Sequence, residues 1–144
     1  MKKKPFLFAF LLLLFFAFKS DEQKAVNFFD EDWSGAVAAA KAQNKPIFAF
    51  VYGATCQVSA KMRGNTLKDE DVVKELNEKF VCVKLCADET KNNLRVTMWG
   101  VEAVPTYVFF TKNKKKITID QGFKNPEEMV EMAEDALKQM NSNN

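Results

Sequence analysis

The sequence predicts a single α/β domain in which a central mixed sheet is flanked by helices on both faces. Three observations support this prediction. The chain has 144 residues, the length of one domain. Apolar runs of strand length alternate with stretches of helical periodicity along most of the chain. Two strand-like runs near the end are separated by only three residues, 112–114, which indicates a hairpin. Alternation followed by a hairpin implies parallel strands joined to antiparallel ones.

Helices are predicted from capping residues and apolar periodicity. Ser34 is the candidate cap of a helix over 33–45 that Pro46 ends, and Val72, Val73 and Leu76 form the apolar face of a later helix. Asn125, Pro126 and two acidic residues have the pattern of a helix start. The predicted helices cover 33–45, 56–64, 69–79, a weak stretch over 89–98 that ends at Gly100, and the segment from 126 onward.

Strands are predicted from continuous runs of apolar and β-branched residues. Residues 47–52 read Ile-Phe-Ala-Phe-Val-Tyr, which is typical of a strand buried on both faces. Further strands are predicted over 80–87, 105–111 and 115–119. Residues 21–30 are predicted to be a polar lead-in without regular structure.

The N-terminal residues 1–20 have the pattern of a secretory signal peptide. Three lysines precede an apolar run over 5–18, which is shorter than the about 20 residues that a membrane-spanning helix needs. The sequence does not define the cleavage site, and an uncleaved membrane anchor is the alternative. We therefore expect export to the periplasm or out of the cell, with residues 21–144 forming the domain.

Composition and charge exclude several classes of function. The chain has no histidine, which excludes histidine-based catalytic triads and dyads and histidine-ligated metals. Residues 21–144 carry 17 basic and 19 acidic side chains, so the domain lacks the basic surface that nucleic-acid binding needs. We expect no metal, no other cofactor and no nucleic-acid partner.

A cysteine with reactive character follows the buried strand 47–52. A turn over 53–55 leads to Cys56, which is predicted to begin a helix in the motif Cys56-Gln57-Val58-Ser59. Unpaired backbone N–H groups and the helix dipole lower the pKa of a thiol at such a position. Ser59 lies one helical turn further on and can donate a hydrogen bond to the sulfur. The alternative is that Cys56 is a buried, inert small side chain.

The segment 45–62, together with Val-Pro-Thr at 104–106, resembles the thioredoxin superfamily. The similarity is to exported thioredoxin-like domains such as the C-terminal domain of the periplasmic thiol:disulfide interchange reductase, and it covers about residues 33–140. It implies a thioredoxin-like fold with Cys56 as the nucleophile. It also implies that Val104 and Pro105 form the family's cis-proline loop, which binds substrate opposite the thiol with Thr55 beside it.

The sequence departs from this family at its redox centre. Ser59 stands where the family's Cys-x-x-Cys motif has its second cysteine, and Thr55 replaces the usual tryptophan. Phe50 stands where dithiol relatives carry an acid that deprotonates the second cysteine. The two losses are consistent, because a buried carboxylate without a thiol to serve would only cost desolvation energy.

Two further cysteines lie on the predicted strand 80–87. Cys82 and Cys86 are four residues apart, about 13 Å along a strand, which is too far for a disulfide. We expect Cys82 to be core. Cys86 is nearer the C-terminal end of the strand, where sites of parallel sheets gather, and is a candidate resolving thiol for Cys56. Lys84 lies between them and is expected to be structural or, alternatively, to assist Cys56.

The leading hypothesis is thiol–disulfide exchange through Cys56 alone, with mixed disulfides formed to cysteine-containing client proteins or low-molecular-weight thiols. This chemistry suits isomerisation or deglutathionylation, so the chain is a candidate protein-disulfide isomerase or oxidoreductase of monothiol type. One alternative is a non-catalytic, chaperone-like module that binds clients. Another is a dithiol reductase that uses Cys56 with Cys86. Contact with a membrane is expected only through an uncleaved N-terminal segment.

Overall fold

A five-stranded mixed sheet forms the centre of the domain. The computed structural model describes residues 24–142. The strand order across the sheet is β1-β3-β2-β4-β5. The first three strands in this order are parallel, and β4 runs antiparallel to both of its neighbours. The strands are β1 (Phe28–Asp30), β2 (Ile47–Tyr52), β3 (Val81–Cys86), β4 (Thr106–Phe110) and β5 (Lys116–Gln121). The predicted α/β fold with a mixed sheet is therefore confirmed.

Residues 24–142 contain five α-helices and two short 3-10 turns, and all of them except the last helix lie between strands. The helices are α1 (Trp33–Gln43), α2 (Gln57–Gly64), α3 (Glu70–Lys79), α4 (Asn93–Trp99) and α5 (Pro126–Ser142), and the turns are Thr66–Lys68 and Thr90–Asn92. Within residues 24–142, no helix has the length and apolar character needed to cross a membrane. The predicted signal peptide over 1–20 lies outside the described residues.

Two expectations about the N-terminal part of the domain are wrong. The segment 21–30 is not wholly irregular, because Phe28–Asp30 form β1, which pairs with β3 at the edge of the sheet. Ser34 does not cap α1. The carboxylate of Asp32 accepts the N–H of Gly35 at 2.8 Å instead, because α1 begins at Trp33 and Asp32 is the residue before it.

Apolar layers lie on both faces of the sheet, because successive side chains of a strand point to opposite sides. On one face Phe48 and Phe50 of β2 pack with buried residues of α2, α3 and α5. On the other face Ile47 and Ala49 of the same strand pack against Ala36 of α1. Five of the six residues of β2 are buried, and Tyr52 at its end is partly buried, so the strand lies at the centre of the domain as its apolar sequence predicted.

The sheet topology brings four chain segments to one edge. The C-terminal ends of β2, β3 and β5 and the N-terminal end of β4 share this edge, since β4 runs opposite to its neighbours. Along the edge the segments follow the strand order. Residues 87–89 come first, then 53–56, then 103–105, and finally 122–124. All candidate site residues named from the sequence lie on these segments or close to them.

Candidate active site

Cys56 forms the N-terminal cap of α2. Its backbone is extended (φ −76°, ψ 117°), and its sulfur accepts the N–H of Ser59 at 3.5 Å. The thiol in turn donates to the carbonyl oxygen of Val104 at 3.6 Å. The side chain is partly exposed. The thiol therefore lies between a helix N-terminus and the loop before β4, within reach of solvent.

The surroundings of Cys56 favour its thiolate form. Two hydrogen bonds from Ser59 hold the pKa of the Cys56 thiol below its ordinary value. The bond from its side chain has the larger effect and the bond from its backbone N–H the smaller one. The backbone N–H of Val58 and the positive charge of Arg63 act in the same direction, while desolvation opposes them. A lowered thiol pKa in a partly exposed position is the environment of a reactive cysteine.

Ser59 is completely buried and connects the thiol to the end of β2. Its hydroxyl oxygen accepts the backbone N–H of Gly53 at 3.2 Å. The same hydroxyl stabilises the Cys56 thiolate, so one side chain fixes both the loop and the charge. Because an alcohol cannot form a disulfide, the role of Ser59 is to hold the loop at Gly53 and the thiol of Cys56 in position.

Gly53 is required by the close packing of three segments. A Cβ at this position would lie 2.9 Å from Cγ2 of Val104 and 3.0 Å from Cβ of Cys56. Real Cβ atoms do not approach other atoms so closely. Glycine therefore allows the loop of Cys56 and the loop of Val104 to contact each other.

The Val104–Pro105 peptide bond is cis, and this loop faces the thiol. Val104 is half-buried and Pro105 is buried. The Pro105 carbonyl accepts the N–H of Gly122 at 2.9 Å, which ties the loop to the segment after β5. Thr55, also named from the sequence, is exposed directly before Cys56.

Asp88 is a site residue that the sequence reasoning missed. Its carboxylate accepts the N–H of Ala54 at 2.7 Å, in the loop that leads to Cys56. The Cys86 thiol donates to the same oxygen at 3.7 Å. Asp88 thus joins the end of β3 to the thiol loop, across 34 positions of sequence. No short motif in the sequence marks this contact.

The other two cysteines lie inside β3. Cys82 is buried, its thiol donates to the carbonyl of Leu76 at 3.6 Å, and burial strongly raises its pKa. Cys86 is also buried, and it is the register partner of Tyr52 on β2. All three cysteines are free thiols.

Beneath the site the interior is apolar. Phe50 is completely buried, and its ring stacks on those of Tyr52 and Tyr107. Lys84 is the register partner of Phe50, but its ammonium forms an ion pair with Asp30 at 3.1 Å. The lysine is therefore engaged at the β1 edge of the sheet.

Glu31 is a second carboxylate that the sequence did not mark as important, and it holds the C-terminal end of β3 through hydrogen bonds. Glu31 accepts the N–H of Cys86 at 2.6 Å, the side-chain amide of Asn92 at 2.7 Å and the hydroxyl of Tyr52 at 3.4 Å. Burial, followed by the charge of Glu31, raises the pKa of Tyr52 to about 12. Across residues 24–142, no cluster of cysteine and carboxylate side chains is suited to hold a metal ion.

The fold and the site define the class of the protein. Residues 28–112, more than half of the chain, match the profile of the thioredoxin-like family. The chain belongs to this family. A mouse protein, spermatogenesis-associated protein 20, is 36% identical over 64 residues, which are 44% of this chain and 8% of that protein. This chain thus spans a small part of that relative.

Several solved structures share the fold. A Bacteroides thetaiotaomicron protein described as a disulphide-isomerase superimposes with a TM-score of 0.71 at 18% identity, over 80% of this chain and 95% of that one. A Thermus thermophilus thioredoxin superimposes with a TM-score of 0.68 at 18% identity, over 76% of this chain and 87% of that one. The C-terminal domain of Neisseria meningitidis DsbD, in its oxidised form, superimposes with a TM-score of 0.61 at 18% identity, over 71% of this chain and 90% of that one. At such identities the similarity establishes the fold alone.

Proposed function

We propose that the protein exchanges thiols and disulfides through Cys56 as its single nucleophile. The observation that carries this proposal is the position of the sulfur. It caps α2, accepts the N–H of Ser59 at 3.5 Å and has a lowered thiol pKa. Such an environment raises the fraction of the thiol present as thiolate, which is the nucleophile of disulfide exchange. The solved structures that share this fold include a thioredoxin and a protein described as a disulphide-isomerase.

The reaction begins when the Cys56 thiolate attacks one sulfur of a client disulfide. A Cys56–client disulfide forms, the client's S–S bond breaks, and the second client sulfur leaves as a thiolate that takes a proton from water. Ser59 has no sulfur with which to resolve this intermediate. A thiol of the client or a low-molecular-weight thiol then attacks the mixed disulfide and releases Cys56. The protein is neither oxidised nor reduced overall, which suits isomerisation and deglutathionylation.

Val104 is the proposed docking point of the client backbone. Its carbonyl oxygen accepts a hydrogen bond from the thiol, its side chain is half-buried, and the carbonyl of Pro105 after it accepts the N–H of Gly122. An extended client segment laid along this loop brings its disulfide to the sulfur of Cys56. The partners proposed are cysteine-containing proteins and small thiols. Export is proposed from the signal-peptide pattern of residues 1–20.

Capture of clients in cells tests the mechanism. Disulfide-linked partners on a non-reducing gel should disappear in Cys56→Ser and persist in Cys82→Ser, the matched control from the core. Val104→Arg should reduce the yield of partners while Cys56 stays reactive toward a small alkylating agent. If the same partners co-purify with Cys56→Ser and are lost only with Val104→Arg, the protein is a noncovalent binding module.

Insulin reduction separates the monothiol mechanism from a dithiol one. The parent should reduce insulin poorly, and Cys86→Ser should leave this low activity unchanged. A parent that reduces insulin at a rate lost in Cys86→Ser would instead assign a resolving role to Cys86.

A further inference from the structure

Phe123 is an exposed aromatic side chain held in place beside the thiol site. It is 43% exposed, although a phenyl ring of this kind is usually buried. The backbone on both sides of it is fixed. The N–H of Gly122 donates to Pro105 at 2.9 Å, and the carbonyl of Lys124 accepts from the hydroxyl of Thr66 at 2.7 Å. The ring is thus presented to solvent by an anchored loop.

A cation lies directly over this ring. The ammonium of Lys61 on α2 is 4.3 Å from the centroid of Phe123. Within residues 24–142, neither Lys61 nor Arg63 of the same helix forms an ion pair with a carboxylate. Lys124, in the neighbouring loop, is by contrast neutralised by Asp120 at 2.7 Å. The helix that carries the thiol therefore has two positive charges without an acidic partner.

The two flanks of Cys56 along the sheet edge have opposite character. On the β3 flank the carboxylate of Asp88 accepts from the loop before Cys56 and from Cys86. On the β4–β5 flank lie Val104, Pro105, the Phe123 ring and the Lys61 ammonium. A segment that docks at Val104 and continues over β5 meets the apolar ring and the cation.

We propose that Phe123 and Lys61 form a specificity subsite for a client segment with an acidic and an apolar side chain near its disulfide cysteine. The inference rests on the proposed exchange function and names the chemical class of its clients. Charge complementarity supports an acidic partner, because the Lys61 charge is uncompensated. The β5 end lies two strand spacings from β2, about 10 Å, which an extended chain covers in about three residues. The acidic residue therefore lies about three positions from the reacting cysteine.

Matched activated peptides test the proposal. Each peptide carries one cysteine as a disulfide with 2-thiopyridone, glutamate, glutamine or lysine three positions away on either side, and a phenylalanine next to that variable residue. The rate of thiopyridone release by the protein is divided by the rate with 2-mercaptoethanol, which removes the intrinsic reactivity of each peptide. We expect the glutamate peptide to react about two- to fivefold faster than the lysine peptide, with the difference shrinking at high salt.

Variants assign the preference to the two side chains. Lys61→Gln should remove the preference and Lys61→Glu should reverse it, while Lys74→Gln on α3 should retain it as the matched control. Phe123→Ala should slow all three peptides, and Phe123→Leu should restore most of the rate. Equal rates for the glutamate and lysine peptides, or a preference that survives in Lys61→Gln, would overturn the proposal.

Failure of the exchange function gives a different result. A parent that releases thiopyridone from neutral 2,2′-dipyridyl disulfide no faster than Cys56→Ser lacks the function itself. A parent that reacts normally with this small disulfide, but does not distinguish the charged peptides, lacks only the subsite.

Discussion

Replacing Gly53 with alanine should displace the loop that holds the reactive thiol. The new Cβ would lie 2.9 Å from Cγ2 of Val104 and 3.0 Å from Cβ of Cys56, against about 3.5–4.0 Å for an unstrained contact. Neither neighbour can yield freely, because Val104 precedes a buried proline and Cys56 caps α2. Overpacking of this kind costs about 1–3 kcal/mol of the free energy of unfolding. At roughly 4 °C for each kcal/mol, the melting temperature should fall by about 4–12 °C.

The matched control is Gly64→Ala at the end of α2. A Cβ there meets no atom within 4 Å, and alanine favours the helix by about 0.5–1 kcal/mol. Calorimetry should therefore show a lower melting temperature for the first variant and an equal or higher one for the second. The alkylation rate of Cys56 should also change only in Gly53→Ala. If both variants have the melting temperature of the parent and the same alkylation rate of Cys56, the claim that Gly53 is required by close packing is refuted.

Four further results are expected. Ser59→Ala should raise the pKa of the Cys56 thiol, seen in the pH dependence of its alkylation, and should cost about 1–3 kcal/mol because the Gly53 N–H loses its acceptor. Ser59→Cys should gain insulin reductase activity over the parent, although Phe50 supplies no base for the new thiol. Alkylation at neutral pH with mass mapping should label Cys56 first, and preferential labelling of Cys82 would contradict the assignment of the nucleophile. Because the Cys56 pKa is lower in the folded than in the unfolded chain, the unfolded chain binds more protons between the two values. The free energy of unfolding should therefore rise with pH across that window, and denaturant titrations of Cys56→Ser, whose stability differs from the parent's by about 0.5 kcal/mol or less below the window, should lack this rise.

Features encoded in neighbouring residues could be predicted from the sequence. The apolar run of β2 and the helix beginning at Cys56 depend on local patterns, and both are present as predicted. The start of α5 is equally local. Asn125 accepts the N–H of Glu128 at 2.9 Å, and the Glu128 carboxylate accepts the N–H of Asn125 at 2.8 Å.

Features that depend on distant residues could not be predicted. The three residues of β1 become a strand only because β3 pairs with them, and Glu31 reaches the N–H of Cys86 across 55 positions. Asp88 has a role only because the sheet places the ends of β2 and β3 side by side. The choice of Asp32 over Ser34 as the cap of α1 depends on where the helix begins, and two capping residues that stand two positions apart do not decide this.

Phe50 and Ser59, two buried residues near Cys56, both lack a group that could resolve a mixed disulfide. Phe50 is completely buried in the apolar layer that also contains Met62 of α2, and its ring stacks on those of Tyr52 and Tyr107 at centroid distances of 5.8 and 5.9 Å. The Ser59 hydroxyl accepts the N–H of Gly53 and stabilises the Cys56 thiolate, so both of its hydrogen-bonding roles are structural. Neither side chain can remove a proton from an attacking thiol or compete with it for the sulfur. Under the proposed monothiol mechanism, a mixed disulfide at Cys56 should therefore persist until an external thiol attacks it, and its lifetime should depend on the concentration and pKa of that thiol.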